Sequence, residues 1–153
     1  MVRRVRAGLV LAVLSLTVLE VGCGQSPTSA SPETRKENVT NHAFEELANL
    51  LEIRQGDNPG KPFEKAAELS KYAKGFPMGT SKVKTGEIVF LFGAPVQAGA
   101  SDKILAYEKQ TPESGGVVLM QDGTTIKKMT AEEFKAAPKA PGKASVETSS
   151  KKS

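Results

Sequence analysis

The sequence has few of the residues that usually build disulfides, metal centres and large aromatic cores. Its 153 residues include one cysteine, one histidine, two tyrosines and no tryptophan. A single cysteine excludes an intramolecular disulfide, and a single histidine without accompanying ligands argues against a zinc site. The core must therefore consist mainly of leucine, isoleucine, valine, phenylalanine and alanine, in one small domain.

Motifs for common catalytic and nucleotide-binding chemistry are also missing. The chain contains no GxSxG, GxGxxG or GxxxxGK[ST], so neither a serine nucleophile elbow nor a phosphate-binding loop is expected. His42 is predicted to be a surface residue. Glu108 and Asp122 are the carboxylates considered for acid–base work, but Asp122 suits a turn and Glu108 is expected to point outward. We therefore expect a protein that is not an enzyme, with no catalytic residue, cofactor or metal.

Positive charge is concentrated at the two ends of the chain. The formal net charge is +4, yet residues 42–137 contain twelve Lys or Arg against thirteen Asp or Glu. A nucleic-acid-binding domain carries its basic surface on the folded part, so a nucleic-acid partner is not expected. The tail, residues 138–153, carries four lysines. These either keep the protein soluble, the preferred interpretation, or contact anionic lipid or a cell-wall polymer.

The sequence has no apolar run long enough to cross a bilayer as a helix. Residues 7–19 form an uncharged run of thirteen residues, preceded by three arginines and followed by Glu20. A membrane-spanning helix needs about 20 residues, whereas this length and these flanks are typical of an export signal. We therefore predict a signal peptide over residues 1–22, with an uncleaved single-pass membrane protein as the alternative.

The residues that follow this run resemble the bacterial lipobox. Val21, Gly22 and Cys23 match its last three positions, whereas Glu20 stands where that motif prefers an aliphatic residue. The resemblance implies that the Cys23 sulfur receives a diacylglyceryl group with fatty chains such as palmitate, and that the chain is cut before Cys23. It also implies anchoring to a membrane of the cell envelope that faces the periplasm, with the inner and outer membranes both open.

Composition and periodicity divide the remainder into three segments. Residues 23–41 read as the lipidated cysteine and a flexible tether, residues 42–137 as a small domain, and residues 138–153 as a disordered basic tail. Apolar residues at helical spacing predict a first helix with Thr40 as N-cap and Val39 packing on Phe44. A second helix is expected from Lys61 to Gly75, and residues 75–86 are expected to form a bend.

The second half of the domain has the character of a sheet. Strands are expected at residues 88–92, 104–108 and 117–121, and Asp122 with Gly123 predicts a two-residue hairpin that pairs Leu119 with Ile126. A capping box that starts at Thr130 predicts a short helix. The expected fold class is α+β, with two N-terminal helices packed on a three- to four-stranded antiparallel sheet and a short C-terminal helix.

One face of the predicted sheet leaves an open question. Val118 and Met120 are expected to face water together with Thr125 and Lys127, and Tyr107 should lie beside them. Such an apolar patch would mark a partner surface. The alternative, which we prefer, is that a helix covers Tyr107.

About half of the chain, residues 61–139, resembles a family of small lipoproteins of planctomycete-type bacteria. The resemblance rests on residues 86–89 (GEIV), 105–108 (LAYE), 115–124 (GGVVLMQDGT) and 129–134 (MTAEEF). More distantly, the helix, the glycine pair and the Asp-Gly hairpin look like the globular parts of pilins and pseudopilins. These resemblances imply localisation and fold. An anchor, a tether and a compact domain without a catalytic constellation lead to the first functional hypothesis, a non-enzymatic envelope module that binds a protein or cell-wall polymer. The second hypothesis is an accessory subunit of a pilin-like or secretion assembly.

Overall fold

The longest element is helix α1, Pro32–Asp57. The computed structural model describes residues 31–145, and in it α1 spans 26 residues, or about 39 Å. The hydroxyl of Ser31 accepts a hydrogen bond from the backbone N–H of Thr34 at 3.2 Å. Serine at the N-cap followed by proline at the first helical position is a favourable start for a helix.

The start of α1 corrects the prediction of a flexible tether. The tether was expected to run to residue 41, with Thr40 as the helix cap, but the chain is already helical from Pro32 onward. Residues 33–37 (ETRKE) are polar but have adequate helix propensity, so the helix extends beyond the part that it buries. The apolar stripe itself is confirmed, since Phe44, Leu47 and Leu50 are fully buried.

The expected second helix is only partly formed and begins five residues later than predicted. It is reduced to helix α2, Ala66–Leu69, and a 3-10 turn, Ser70–Tyr72. Residues 75–86, expected to be a bend, instead contain helix α3, Pro77–Thr85. Pro77 is accepted because it occupies the first helical position, and Gly86 ends the helix at a φ of 73°, where glycine is favoured.

The sheet has five antiparallel strands in the order β4-β3-β2-β1-β5. The three predicted strands are confirmed within one residue at each end. Two short edge strands, β4 and β5, complete it, so the sheet has five strands and not the expected three or four, because part of the predicted tail forms β5. The strands are β1, Ile88–Phe92; β2, Ile104–Glu108; β3, Gly116–Met120; β4, Ile126–Met129; and β5, Lys143–Ala144.

The hairpin between β3 and β4 has the predicted register but a longer turn. Leu119 pairs with Ile126, as predicted. The backbone N–H of Gly123 donates to the carbonyl of Met120, so the chain reverses one residue earlier than a turn centred on Asp122 and Gly123 would require. The Asp122 carboxylate accepts from the N–H groups of Thr124 and Thr125. This arrangement makes a four-residue loop.

Both faces of the sheet are covered. On one face, α1 and α3 cover the main core, which includes Val117 and Leu119. On the other, Ile104, Val118 and Met120 form a second cluster with Phe134 of helix α5, Ala131–Ala136. The prediction that Val118 and Met120 face water is therefore wrong, because α5 covers that face.

The C-terminal part of the described chain belongs to the fold. The capping box of α5 is confirmed, with reciprocal hydrogen bonds between Thr130 and Glu133. The expectation of a disordered tail from residue 138 is wrong for residues 138–145. Ala140 is buried, its N–H donates to the carbonyl of Ile104, and β5 pairs with β1. The remaining short helix, α4, Thr111–Ser114, links β2 to β3. The architecture is mixed α+β.

Candidate functional site

A groove of about 920 Å³ lies between the first turns of α1 and one end of the sheet. We call it the α1 groove. Helix α1 contributes Pro32, Arg35, Lys36, Glu37, Val39 and Thr40; the sheet end and its loops contribute Lys82, Glu87, Ile88, Glu108, Lys109, Gln110, Gly115, Gly116, Val117 and Lys128. The sequence prediction missed this groove because it treated residues 32–41 as tether. The signal that would have indicated this wall of the groove is serine followed by proline at positions 31 and 32, a sequence typical of the start of a helix.

The lining of the α1 groove is rich in charge. Among the described side chains of the lining, five basic groups face three carboxylates, an excess of two positive charges. Two ion pairs lie within it: Lys82 Nζ is 2.6 Å from Glu87 Oε2, and Lys128 Nζ is 2.8 Å from Glu37 Oε1. The hydrogen bonds from Lys82 and Thr85 lower the pKa of the Glu87 carboxyl.

The other three basic side chains of the groove are exposed and lie outside these pairs. Arg35 and Lys36 project from the first two turns of α1, and Lys109 follows the end of β2. Val39, also in the lining, is 41% exposed and is one of two large aliphatic side chains at the surface of the described residues. The groove therefore combines exposed cations with a small apolar surface, a combination suited to an anionic amphiphilic ligand.

The floor of the groove is fixed by Glu108 and a pair of glycines. Glu108 Oε2 accepts from the N–H of Val117 at 2.7 Å. A Cβ on Gly116 would lie 2.5 Å from that same oxygen and 2.8 Å from Thr111 Oγ1. Gly115 has a φ of 75°, and a Cβ there would lie 2.7 Å from the carbonyl oxygen of Met129. Because Gly116 has no side chain, the Glu108 carboxylate can approach the start of β3. Because Gly115 has none, the backbone of Met129 at the end of β4 can pack against this position.

The groups considered for catalysis lie in separate places with separate partners. Glu108 bonds to Val117 as described, and Asp122 bonds within its own loop. His42 lies in the third turn of α1, where its Nδ1 is 3.4 Å from Glu45 Oε2 and its Nε2 is 3.7 Å from Glu46 Oε1. Within residues 31–145 no group of His, Cys, Asp and Glu side chains is arranged to hold a metal ion.

Tyr107 is covered by a helix, the interpretation preferred from the sequence. Its ring centroid lies 4.8 Å from that of Phe134 in α5. Burial raises the pKa of the Tyr107 hydroxyl. The partner surface that an exposed Tyr107 would have marked is therefore not formed.

Of the basic tail, Lys139 and Lys143 lie in the described part. Lys139 Nζ donates to the carbonyl oxygens of Phe134 and Ala137 and lies 4.1 Å above the Phe134 ring centroid. Burial lowers the pKa of Lys139. Lys139 thus caps α5, whereas Lys151 and Lys152 lie outside the described residues, as does Cys23.

No protein-family model, curated protein or solved structure matches this chain. Among the helices that the structure describes, none is both long enough and apolar enough to cross a bilayer.

Proposed function

We propose that this protein is a lipid-anchored module of the bacterial cell envelope, held through acylated Cys23 on a periplasm-facing membrane, and that it acts by binding. The observation that carries the proposal is the thirteen-residue apolar run that ends just before the single cysteine. Such a run is too short to span a bilayer and has the length of a signal sequence. The resemblance to planctomycete-type lipoproteins agrees with this proposal.

The position of α1 supports a domain held close to its anchor. Eight residue steps separate Cys23 from Ser31, and a fully extended chain of that length spans at most about 28 Å. The first turn of α1 also lines the α1 groove, through Pro32. A domain anchored at Cys23 therefore holds this groove near the membrane, and the groove is the binding surface that we propose.

A binding role agrees with how the carboxylates of the sheet are used. Glu108 holds the start of β3 in place through Val117, and Asp122 organises the β3–β4 loop. Each carboxylate has a sufficient structural role, and the groups that donate hydrogen bonds to Glu108 differ from those that donate to Asp122. We therefore propose a non-enzymatic module.

Mass spectrometry of the mature N-terminus tests the anchor. The wild-type protein should begin at an acylated Cys23, and Cys23→Ala should retain residues 1–22 or lack the lipid. A native chain that keeps its initiator methionine and carries a free thiol would contradict lipidation. If that uncleaved chain were found in the membrane fraction, the result would support the alternative of a single-pass membrane protein.

A second candidate function is an accessory subunit of a pilin-like or secretion assembly. The observation that favours it is a long helix, α1, packed against one face of an antiparallel sheet. Deletion of the gene should then abolish fibres or secretion. Normal assembly in the deletion strain would exclude this function and leave the binding module.

A further inference from the structure

We propose that the α1 groove docks on anionic phospholipid headgroups of the membrane that carries the protein. This inference rests on the proposed lipid anchor and names the partner of the same surface. It is carried by three observations on the described residues: the sign of the charge in the groove, its place at the N-terminal end of α1, and the exposed apolar side chain beside the cations.

The charge of the groove selects an anionic partner. Lys82 and Lys128 are engaged with Glu87 and Glu37, whereas Arg35, Lys36 and Lys109 add three exposed cations to the same concave surface. A cation held near an anionic membrane strengthens association by roughly fivefold. Three such cations on one surface are sufficient to orient a domain that its lipid already holds at the membrane.

The location of the groove selects a membrane over a soluble anion. Pro32, the first residue of α1, belongs to the lining, and a chain of at most about 28 Å joins this helix to the acylated residue. Electrostatic attraction between exposed charges extends about 10 Å at 0.1 M salt. The tether is therefore short enough to bring the cations repeatedly within that distance of the headgroups.

Val39 supplies the apolar part of the contact. It is 41% exposed and lies one turn after Arg35 and Lys36 on the groove side of α1. Ile53, which is 45% exposed, lies on the same helix outside the groove. The two residues thus form a matched pair, with comparable exposure and only one of them at the proposed contact.

Reconstitution of the mature lipoprotein tests this docking. The protein is inserted through its own anchor into vesicles of phosphatidylcholine, with or without phosphatidylglycerol, after mass spectrometry has confirmed acylation in the same sample. Amide hydrogen exchange over residues 34–41 should be severalfold slower with phosphatidylglycerol than without it, and added salt should abolish this difference between the two kinds of vesicle. Equal exchange in both vesicles would overturn the docking while leaving the lipid anchor established.

Charge-neutral variants identify the surface responsible. The variant with Arg35→Gln, Lys36→Gln and Lys109→Gln should lose the protection. The control with Lys65→Gln, Lys71→Gln and Lys74→Gln removes three exposed cations outside the groove and should keep it. Circular dichroism melting of both variants verifies that they remain folded. Loss of protection in both variants would contradict a specific role for the groove.

Photo-crosslinking separates the lipid from other partners. A diazirine amino acid at position 39 should crosslink to phospholipid in the anionic vesicles, and one at position 53 should do so far less. Inorganic phosphate added to neutral vesicles should not protect residues 34–41. Protection by phosphate alone, or crosslinks from position 39 only to a protein or to cell-wall polymer added to the vesicles, would overturn the proposal.

Discussion

The carboxylate of Glu46 accepts a hydrogen bond from the backbone N–H of Gly79 at 2.7 Å, across 33 positions of sequence. Gly79 lies in the first turn of α3, whose amides lack partners within the helix. Phe76, which precedes α3, makes no side-chain cap. Helix α1 therefore caps α3 from outside, with a negative charge at the helix end that favours it.

The same contact makes residue 79 sensitive to a single methyl group. A Cβ on Gly79 would lie 2.8 Å from the carbonyl oxygen of Ala43 and 3.0 Å from Leu47 Cγ. Because the nearest atom is backbone, α1 and α3 would have to separate. We expect Gly79→Ala to lower the free energy of unfolding by about 1–3 kcal/mol, measured by urea denaturation.

Gly56→Ala is the matched control for this prediction. Gly56 lies near the end of α1, and a Cβ there would meet nothing within 4 Å. Alanine should therefore be neutral or should stabilise α1 by up to about 1 kcal/mol. Equal destabilisation by the two variants would show that crowding between the helices is not the cause.

Asp122 should make the stability of the fold depend on pH in the acid range. Burial raises the pKa of the Asp122 carboxyl, but the hydrogen bonds from Thr125 and Thr124 and the charge of Lys127 outweigh it and lower the pKa. The carboxylate thus ionises more readily in the folded than in the unfolded chain, where its pKa is about 3.9. Its contribution is complete above that pH and is lost as the pH falls through the lower folded pKa.

We therefore expect the stability advantage of the wild type over Asp122→Asn to shrink as the pH is lowered from neutral to about 2. Urea denaturation across this range measures it. Thr125→Val, which removes the hydroxyl donor to Asp122 Oδ2, should show an intermediate acid loss. A constant difference between wild type and Asp122→Asn would mean that the carboxylate charge does not contribute.

The sheet was largely predictable from sequence because its signals are local. The unbroken apolar run at β1 indicates a strand buried on both faces, and its five residues are all buried. The capping box at Thr130 lies within four residues of sequence. The register of β3 and β4 followed from a turn of fixed position, even though the loop itself is longer than predicted.

Helix α3 and the second face of the sheet could not be predicted in this way. Residues 77–85 contain Pro77 and Gly79, which locally favour a bend, and the cap that stabilises them comes from Glu46. Likewise, Val118 and Met120 alternate as if solvent-facing, and only the return of α5 over that face buries them. Both outcomes depend on contacts between segments far apart in the chain.

Residues 138–145 were predicted to be part of a disordered tail, but in the structure they belong to the folded domain. A disordered tail would be dispensable, but Ala140 is buried and β5 adds an edge strand to β1. A chain that ends at residue 137 should therefore be destabilised by several kcal/mol, since it exposes Leu91 and Phe92. Thermal and urea unfolding measure the loss.

Gly142→Ala reports on the same region without truncation. A Cβ there would lie 2.7 Å from the carbonyl oxygen of Phe92 and 2.8 Å from that of Leu91, so β5 should be displaced from β1. Gly75→Ala is the matched control, because neither glycine has a positive φ and a Cβ at position 75 would meet only the carbonyl oxygen of Tyr72, at an ordinary 3.8 Å. A truncated chain as stable as wild type would contradict the role assigned to residues 138–145.

The α1 groove illustrates why a site can be missed when its residues are visible. One wall comes from residues 32–40 and the other from residues 82–128, and no short-range pattern connects them. The modification of Cys23, by contrast, rests on a local signal, an apolar run followed by a small residue and cysteine, and it stays a prediction because Cys23 lies outside the described residues. A site formed by segments that are distant in sequence can be predicted only when the packing of those segments is known.

The ion pair between Lys128 and Glu37 joins the two walls of the groove. The nitrogen and oxygen are 2.8 Å apart, but the side chains are 70% and 48% exposed, so the pair should contribute only about 0.2–1 kcal/mol. The side chains of residues 34–39 are exposed, and a segment with so little burial opens locally. We therefore expect Glu37→Gln to leave global stability nearly unchanged while raising amide exchange over residues 34–40 severalfold.

Added salt should distinguish this ion pair from a general loosening of α1. Screening weakens an exposed pair, so salt should raise exchange over residues 34–40 in the wild type and have little further effect in Glu37→Gln. The control is Glu52→Gln, which removes an exposed carboxylate from the same helix at a position outside the groove. An equal rise in exchange over residues 34–40 in Glu52→Gln and Glu37→Gln would contradict this prediction. Local opening of α1 would then depend on the total charge of the helix and not on the ion pair between Glu37 and Lys128 of β4.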